Sequence, residues 1–232
     1  MGRSRADLAV VVDVLSFSTS VSVAVDRGMV VLPYGWDDPS AGDFARHHDA
    51  VLAAGRLEGS RTGVPSLSPS SLRECAPVRR LVLPSPNGAS ICAQLGARGT
   101  GVAIGCVRNA SATARHVQGA LAAGQAVVVV AAGERWPHDG TLRPCLEDHL
   151  GAGAVLAALA SAGLGDQMSP EARAAALLFT AHASALPATI RDCVSGKELR
   201  ARGCASDIAV AVDRDVSQRV PVLVDGAFTP AG

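Results

Sequence analysis

Four carboxylates stand where apolar segments of the sequence end or begin. Asp13 and Glu134 each come shortly after a run of β-branched residues, and Glu147 and Asp148 open an Ala-rich stretch with helical periodicity. Carboxylates gathered at one edge of a sheet can coordinate a hard cation such as Mg²⁺, which takes oxygen ligands and leaves positions open for substrate and water. Adjacent residues diverge by about 100° on a helix, so only one of Glu147 and Asp148 is expected to face such a site.

A second set of residues is suited to holding an anion. Ser18-Thr19 and Asn87-Gly88 each stand where a helix is about to begin, and the unpaired amides of a helix N-terminus bind phosphate oxygens. Arg56, Arg108 and Arg135 follow other apolar segments, and a guanidinium offers a bidentate fork to a phosphate, carboxylate or sulfonate. Each residue alone is also a common helix cap, turn former or surface charge. Acids beside anion-binding groups indicate metal-bridged phosphate-ester chemistry.

The elements that must position these residues alternate between short apolar runs and Ala-rich helical stretches. This alternation predicts an α/β fold, a layered sheet of mostly parallel strands with helices on both faces. In such a sheet, ligands bind beyond the carboxyl ends of the strands. Strands are predicted at 8–12, 29–32, 50–54, 81–83, 102–104, 126–130 and 220–224. Helices are predicted at 19–26, 41–48, 88–95, 110–122, 146–162 and 170–186, with shorter helices between 189 and 212.

Length and composition set the outer limits of the interpretation. The chain has 232 residues, of which 48% are hydrophobic and 18% charged, so it is expected to fold as one domain over 1–232. Aromatic residues make up 3%, which disfavours a base-stacking surface. Lys plus Arg and Asp plus Glu both number 21, so no net field attracts nucleic acid or an acidic membrane. We therefore expect neither a nucleic-acid nor a membrane partner.

The cysteines and the apolar runs of the sequence indicate the cellular compartment of the protein. Six cysteines lie far apart, without the spacing of a zinc site, and are interpreted as reduced thiols. The first apolar run is too short for a signal peptide, and no run reaches the roughly 18 residues of a membrane span. A cytoplasmic protein is expected. An Ala-rich surface is compatible with a homo-oligomer, but helix packing within one chain explains the same residues equally well.

Several familiar motifs are absent or unconvincing. The sequence has no GxxxxGK[ST], GxSxG or HExxH motif. Cys92 and Arg98 have the Cys-x5-Arg spacing of a thiol phosphatase, but the residues between them have the pattern of a helix end rather than a phosphate-binding loop. The stretch 61–71 is rich in Ser, Pro and Gly and is predicted to be a long loop.

Ordered segments along nearly the whole chain resemble a known family. The segments are 11–19 (VVDVLSFST), 85–89 (SPNGA), 105–110 (GCVRNA), 132–135 (AGER), 146–154 (LEDHLGAGA), 196–199 (GKEL), 203–207 (GCASD) and 220–223 (VPVL). Together they are similar to the 2-phosphosulfolactate phosphatases, magnesium-dependent enzymes of coenzyme M biosynthesis. The resemblance implies an α/β fold of that family's type and hydrolysis of the phosphate ester of a small anionic hydroxy acid.

The resemblance also assigns roles, with water and a carboxylate both open as the nucleophile. It implies Mg²⁺ as cofactor, with Asp13, Glu134 and Glu147 as metal ligands. Catalysis is assigned to Asp13, Glu134 and Asp148. The small phosphorylated acid would be held by seven residues: Ser18, Thr19, Arg56, Asn87, Gly88, Arg108 and Asn109.

Four segments depart from the family pattern, among them Ser16 in place of the family's arginine and PNGA at 86–89 in place of Thr-Asn-Gly-Thr. Where the family reads Gly-Glu-Arg-Gly-Gly, this chain has GRLEG at 55–59, and the family's Gly-Asn-Ser-Pro becomes SLSP at 66–69. Each change removes a group that could contact an anion. An alternative hypothesis is therefore a member of the family that has lost catalysis and binds a small anion without turnover.

Overall fold

The computed structural model describes residues 6–35, 39–56, 58 and 64–231. Their main sheet has eight strands, and a separate two-stranded hairpin follows the sixth. The main strands are β1 (Leu8–Val12), β2 (Val30–Tyr34), β3 (Val51–Leu52), β4 (Arg80–Pro84), β5 (Gly101–Ile104), β6 (Val127–Ala131), β9 (Pro221–Val224) and β10 (Ala227–Pro230). The hairpin strands are β7 (Glu134–Arg135) and β8 (Leu142–Arg143).

The strand order is β3-β4-β2-β10-β9-β5-β1-β6. Strands β3, β4 and β2 are mutually parallel, as are β5, β1 and β6. The β9–β10 hairpin joins these two blocks through antiparallel pairs. The predicted α/β fold with a mostly parallel sheet is confirmed, and so are the seven predicted strands, with shifts at their ends.

Strand β10 was missed. Its turn is Asp225-Gly226, and both residues have positive φ, 49° and 78°. An Asp-Gly pair with positive φ at both positions is the preferred connection of a two-residue hairpin. The sequence signal was present, but β10 itself has only four residues and ends in Pro230.

Helices cover both faces of the sheet, because alternate residues of β1 enter different cores. Val10 and Val12 pack with helices α5 (Ala110–Ala122), α6 (Leu146–Leu159) and α7 (Pro170–His182). Val11 packs on the other face with α1 (Phe17–Asp26) and α4 (Gly88–Ala97). The remaining helices are α2 (Pro39–His47), α3 (Pro69–Glu74), α8 (Leu186–Asp192), α9 (Val194–Ala201) and α10 (Ala205–Ala211).

Three predicted boundaries were wrong. The helix predicted over 146–162 is α6, which ends at Leu159. A wider helical turn follows over Ala160–Leu164, where Gly163 has φ 85°. The helix predicted over 170–186 ends at His182. Within the predicted loop 61–71, residues 61–63 lie outside the described part. The end of this predicted loop is helical, because Pro69 begins α3. The hydroxyl of Ser68 caps this helix by accepting from the amide of Ser71. No helix in the described ranges combines the length and the apolar character that spanning a bilayer requires.

Helices α6 and α7 pack closely enough that a methyl group at Gly153 would not fit. A Cβ there would lie 2.3 Å from the carbonyl oxygen of Ala175 and 2.8 Å from Cβ of Phe179. We expect Gly153→Ala to lower the free energy of unfolding by about 2 kcal/mol, because overpacking against backbone outweighs the helix propensity that alanine adds. Urea unfolding followed by circular dichroism measures this change.

Gly119 is the matched control, since it also lies within a helix but a Cβ there meets nothing within 4 Å. Gly119→Ala should raise the free energy of unfolding by about 0.5–1 kcal/mol. A Gly153→Ala protein as stable as Gly119→Ala would contradict the close packing of α6 on α7.

Candidate active site

A small pocket of about 100 Å³ opens where β1 and β4 end and where β7 begins. Acidic, basic, amide and hydroxyl groups converge on it, which is the pattern expected of a site for a small polar ligand. Its lining consists of Asp13, Leu15, Ser16, Phe17, Ser20, Arg56, Leu67, Leu83, Pro84, Ser85, Pro86, Asn87 and Glu134.

Asp13 is held by the beginnings of two helices. It follows β1 directly, and its Oδ1 accepts a hydrogen bond of 3.2 Å from the amide of Phe17, the first residue of α1. Its Oδ2 accepts one of 3.0 Å from the amide of Gly88, the first residue of α4. A helix N-terminus carries unpaired amides and positive potential, and both favour a carboxylate. These two bonds fix the orientation of the Asp13 carboxylate in the pocket wall.

The carboxyl of Asp13 is nevertheless hard to ionise. Its pKa is raised to about 6, chiefly by burial and also by the charge of Glu134, while the amides of Phe17 and Gly88 and the charge of Arg56 partly oppose this rise. Glu134 follows Gly133, whose φ of 69° turns the chain into the β7–β8 hairpin. Two carboxylates facing one pocket repel each other and would be stabilised by a cation.

Asp148 lies behind the pocket wall and joins three elements. From the first turn of α6, its Oδ1 accepts from the amide of Val14 at 2.7 Å and its Oδ2 from the amide of Gly133 at 2.8 Å. It therefore links α6 to the chain just after β1 and just after β6. Burial raises the pKa of Asp148 well above its usual value, and the charges of Asp13 and Glu147 raise it further.

The structure does not assemble the predicted set of metal ligands around one point. Among the described residues, the group of at least three His, Cys, Asp or Glu side chains whose ligand atoms all lie within 4.8 Å of one another is Cys145, Glu147 and Asp148, a set without Asp13 or Glu134. Burial raises the pKa of the Cys145 thiol to about 12, so this group is a poor ligand for a hard cation. Glu147 is buried and its Oε2 accepts from the Cys193 thiol at 3.3 Å.

Asp13 and Glu134 fit magnesium on their own. Mg²⁺ usually keeps several waters and binds proteins through one or two carboxylates together with substrate phosphate oxygens. The shared pocket offers two carboxylates and open space beside them. Cys92, in contrast, is buried within α4, and burial raises the pKa of its thiol, so it is not an activated nucleophile.

Of the predicted anion-binding residues, two serve the loop after β1. The Ser18 hydroxyl accepts from the amide of Asp13 at 2.9 Å and donates to the carbonyl of Val11 at 3.2 Å. The Thr19 hydroxyl donates to the carbonyl of Val14 at 2.8 Å. Both side chains are fully buried and neither lines the pocket. They hold the loop that positions Asp13.

Arg56, Asn87 and Gly88 are brought to the pocket or its wall. Arg56 and Asn87 line it, while Gly88 donates its amide to Asp13. A Cβ at Gly88 would lie 2.4 Å from Cδ1 of Phe17 and 2.8 Å from Oδ2 of Asp13. Gly88 is therefore required by the close approach of α4 to Asp13.

Arg108 and Asn109 do not reach the pocket, although the sequence predicted that they would. Arg108 is buried and its Nη2 lies 2.9 Å from Oδ2 of Asp26, at the far end of α1. The Asn109 side chain accepts from the amide of Cys106 at 2.9 Å and donates to the carbonyl of Ile104 at 3.1 Å. Both residues hold the turn after β5 to its surroundings.

Sequence reasoning missed several groups at the pocket. The hydroxyls of Ser16, Ser20 and Ser85 line it, and each lies within or beside a segment already singled out. Asp207 had no local signal as a site residue. It contacts Arg56 only because the fold brings the C-terminal helix α10 next to residue 56.

Comparison with known proteins identifies the family of this chain. The sequence profile of the 2-phosphosulpholactate phosphatase family matches residues 2–226. The 2-phosphosulfolactate phosphatase of Methanothermobacter thermautotrophicus is 29% identical over 221 residues, covering 94% of this chain and 88% of that protein. A probable 2-phosphosulfolactate phosphatase of Deinococcus radiodurans is 28% identical over 230 residues, covering 97% and 91%. The chain therefore belongs to the 2-phosphosulpholactate phosphatase family.

Proposed function

We propose that this chain is a magnesium-dependent phosphatase that hydrolyses the phosphate ester of a small anionic hydroxy acid, 2-phosphosulfolactate or a related compound. The observation that carries the proposal is the pairing of Asp13 with Glu134 in a pocket that also holds Arg56. The names of the two relatives support the same reaction. The family resemblance further supports a role in coenzyme M biosynthesis, and the six free cysteines support a cytoplasmic location.

The residues divide the work of this reaction. Asp13 and Glu134 would hold Mg²⁺, which when bound neutralises charge on the phosphoryl oxygens. Asn87 and the hydroxyls of Ser16 and Ser85 lie around the same space and would bind the remaining oxygens of the substrate. Asp148 would act through the backbone. It accepts from the amide of Val14, next to Asp13, and from the amide of Gly133, next to Glu134, and so holds both carboxylates in place.

Phosphate release from a small panel of esters tests the proposal. The panel contains phosphosulfolactate, phospholactate and an aryl phosphate, each with Mg²⁺ and with a chelator. We expect release, fastest from the first two esters, that requires Mg²⁺ and is abolished by the chelator, because the carboxylates of Asp13 and Glu134 repel each other and Mg²⁺ would offset that repulsion. Circular dichroism in both buffers shows that the chelator has not unfolded the protein.

The opposite result would identify a different role. Binding of phosphosulfolactate by calorimetry without any phosphate release from folded, Mg²⁺-loaded protein would contradict the phosphatase and favour a non-enzymatic anion-binding protein. Release that is equal with Mg²⁺ and with chelator would contradict the assignment of the metal alone.

A further inference from the structure

Asp207 is a fully buried carboxylate that lies in the first turn of α10. Its Oδ1 accepts hydrogen bonds from the amide of Ser70 at 3.2 Å, from the hydroxyl of Ser70 at 2.7 Å and from the hydroxyl of Ser68. Its Oδ2 accepts from Nη1 of Arg56 at 2.8 Å. A buried charge is tolerated when donors surround it in this way, and here the donors come from two separate segments of the chain, at residue 56 and at residues 68–70.

Arg56 uses one nitrogen for all of these contacts. Nη1 donates to Asp207 and also to the hydroxyl of Ser16 at 3.2 Å. Among the residues that the structure describes, Nη2 and Nε of Arg56 have no hydrogen-bond partner. The side chain is 22% exposed and lines the pocket, so these donors remain available to a ligand there. With respect to the described residues, the guanidinium is thus anchored at one nitrogen and open at the other two.

The charge balance indicates which group of the substrate Arg56 receives. Asp207 offsets most of the positive charge of Arg56, so the open donors favour a singly charged anion over a phosphoryl dianion. A carboxylate or sulfonate accepts two N–H groups of one guanidinium in a bidentate geometry. The phosphoryl group would bind with the Mg²⁺ that Asp13 and Glu134 hold in the proposed function.

We infer that Asp207 is a positioning residue, which holds Arg56 so that its open nitrogens bind the acid group of the substrate. This inference rests on the proposed function, since it names the part of the substrate that the phosphatase recognises. It assigns to α10 a share in substrate specificity, although α10 itself does not line the pocket.

The test compares substrates that have and lack the acid group. Asp207→Asn should raise KM for phospholactate about 10-fold or more, the cost of one misplaced charge-assisted contact, while kcat changes by less than about 3-fold. For an aryl phosphate without an acid group, KM and kcat should both stay within about 2-fold of the wild type. A merely structural role would lower turnover of both substrates alike, and that result would overturn the inference.

Asp213→Asn is the matched control, because Asp213 lies just after α10 and pairs with Arg73 at 2.9 Å, away from the pocket. It should leave KM unchanged for both substrates. Should Asp207→Asn fail to fold, Arg56→Met replaces it, because Arg56 is the partly exposed member of the pair. It must raise KM for phospholactate and leave KM for the aryl phosphate unchanged. In the Arg56→Met protein, Asp207→Asn should add no further change in KM. Additive effects would contradict a shared action.

A binding measurement separates this inference from the proposed function. Calorimetry with phospholactate in the presence of chelator, where no phosphate release is expected, reports the affinity directly. Weaker binding by Arg56→Met and Asp207→Asn, but not by Asp213→Asn, supports the inference even if no phosphate is released. Equal binding by all four proteins, wild type included, overturns it even if the phosphatase is confirmed.

Discussion

Asp13→Asn is expected to lower kcat/KM for phosphate release by about 1000-fold or more in a protein that still folds. Asp13 offers the carboxylate that both helix N-termini orient into the pocket, opposite Glu134. An asparagine oxygen is neutral and binds Mg²⁺ far more weakly, so the cation and the charge stabilisation that it supplies to the reacting phosphoryl group are both lost. Steady-state phosphate release at saturating Mg²⁺ measures the loss.

The fold should survive because ionised Asp13 is itself a cost to stability. Burial and Glu134 raise its pKa to about 6, above the ordinary value of 3.8, so the folded protein binds this proton more tightly than the unfolded chain does. With chelator present, the wild-type stability therefore falls as the pH rises from about 4 to about 6. The stability of Asp13→Asn should not fall over this pH range. At pH 7.5 its free energy of unfolding should lie within about 1 kcal/mol of the wild-type value. Urea unfolding of both proteins at about pH 4 and at pH 7.5, with chelator present, checks this.

Asp7→Asn is the control at the other end of β1. Asp7 is also an acid whose carboxylate accepts a backbone amide, that of Ala126 at 2.8 Å, but it is exposed and remote from the pocket. It should keep wild-type activity. An Asp13→Asn enzyme that retains more than about a tenth of the activity would contradict a role for Asp13 at the metal.

The sequence was most informative where a buried strand ends. The run before Asp13 is apolar throughout, which predicts a strand covered on both faces, and the first polar residue after it must lie at the rim. The same reasoning placed Asn87 after β4, and both residues line the pocket. Local pattern is sufficient here because strand direction and helix start fix the side chain within a few residues.

The same reasoning failed for Arg108, although β5 runs parallel to β1 and ends at the same edge of the sheet. Arg108 lies within the turn Val107–Asn109 after β5, and its buried side chain is not among those that line the pocket. Arg108 instead forms an ion pair with Asp26. Arg108 and Asp26 are 82 positions apart in the sequence, and Asp207 and Arg56 are 151 positions apart. A single sequence carries no local signal for either contact.

Asp148→Ala is expected to cause the largest loss of stability, about 4 kcal/mol. The substitution leaves the buried amides of Val14 and Gly133 without an acceptor, and each unsatisfied amide costs about 1–3 kcal/mol. Removing the charge also relieves its repulsion with Asp13 and Glu147, which raises the pKa of Asp148, but that gain offsets only part of the cost. Because the same two amides flank the site, kcat/KM of the remaining folded protein should fall as well.

Asp148→Asn separates the two contributions, since its single carbonyl oxygen keeps one of the two hydrogen bonds. Its loss should be about half that of alanine. Glu171→Ala is the control, because Glu171 is likewise a first-turn acid, of α7, but is exposed and should cost less than about 0.5 kcal/mol. Thermal and urea unfolding of the three variants give the order. If Asp148→Ala and Glu171→Ala unfolded together, Asp148 would be an ordinary helix-terminal charge, and the site would not depend on its link between α6 and the two strand ends.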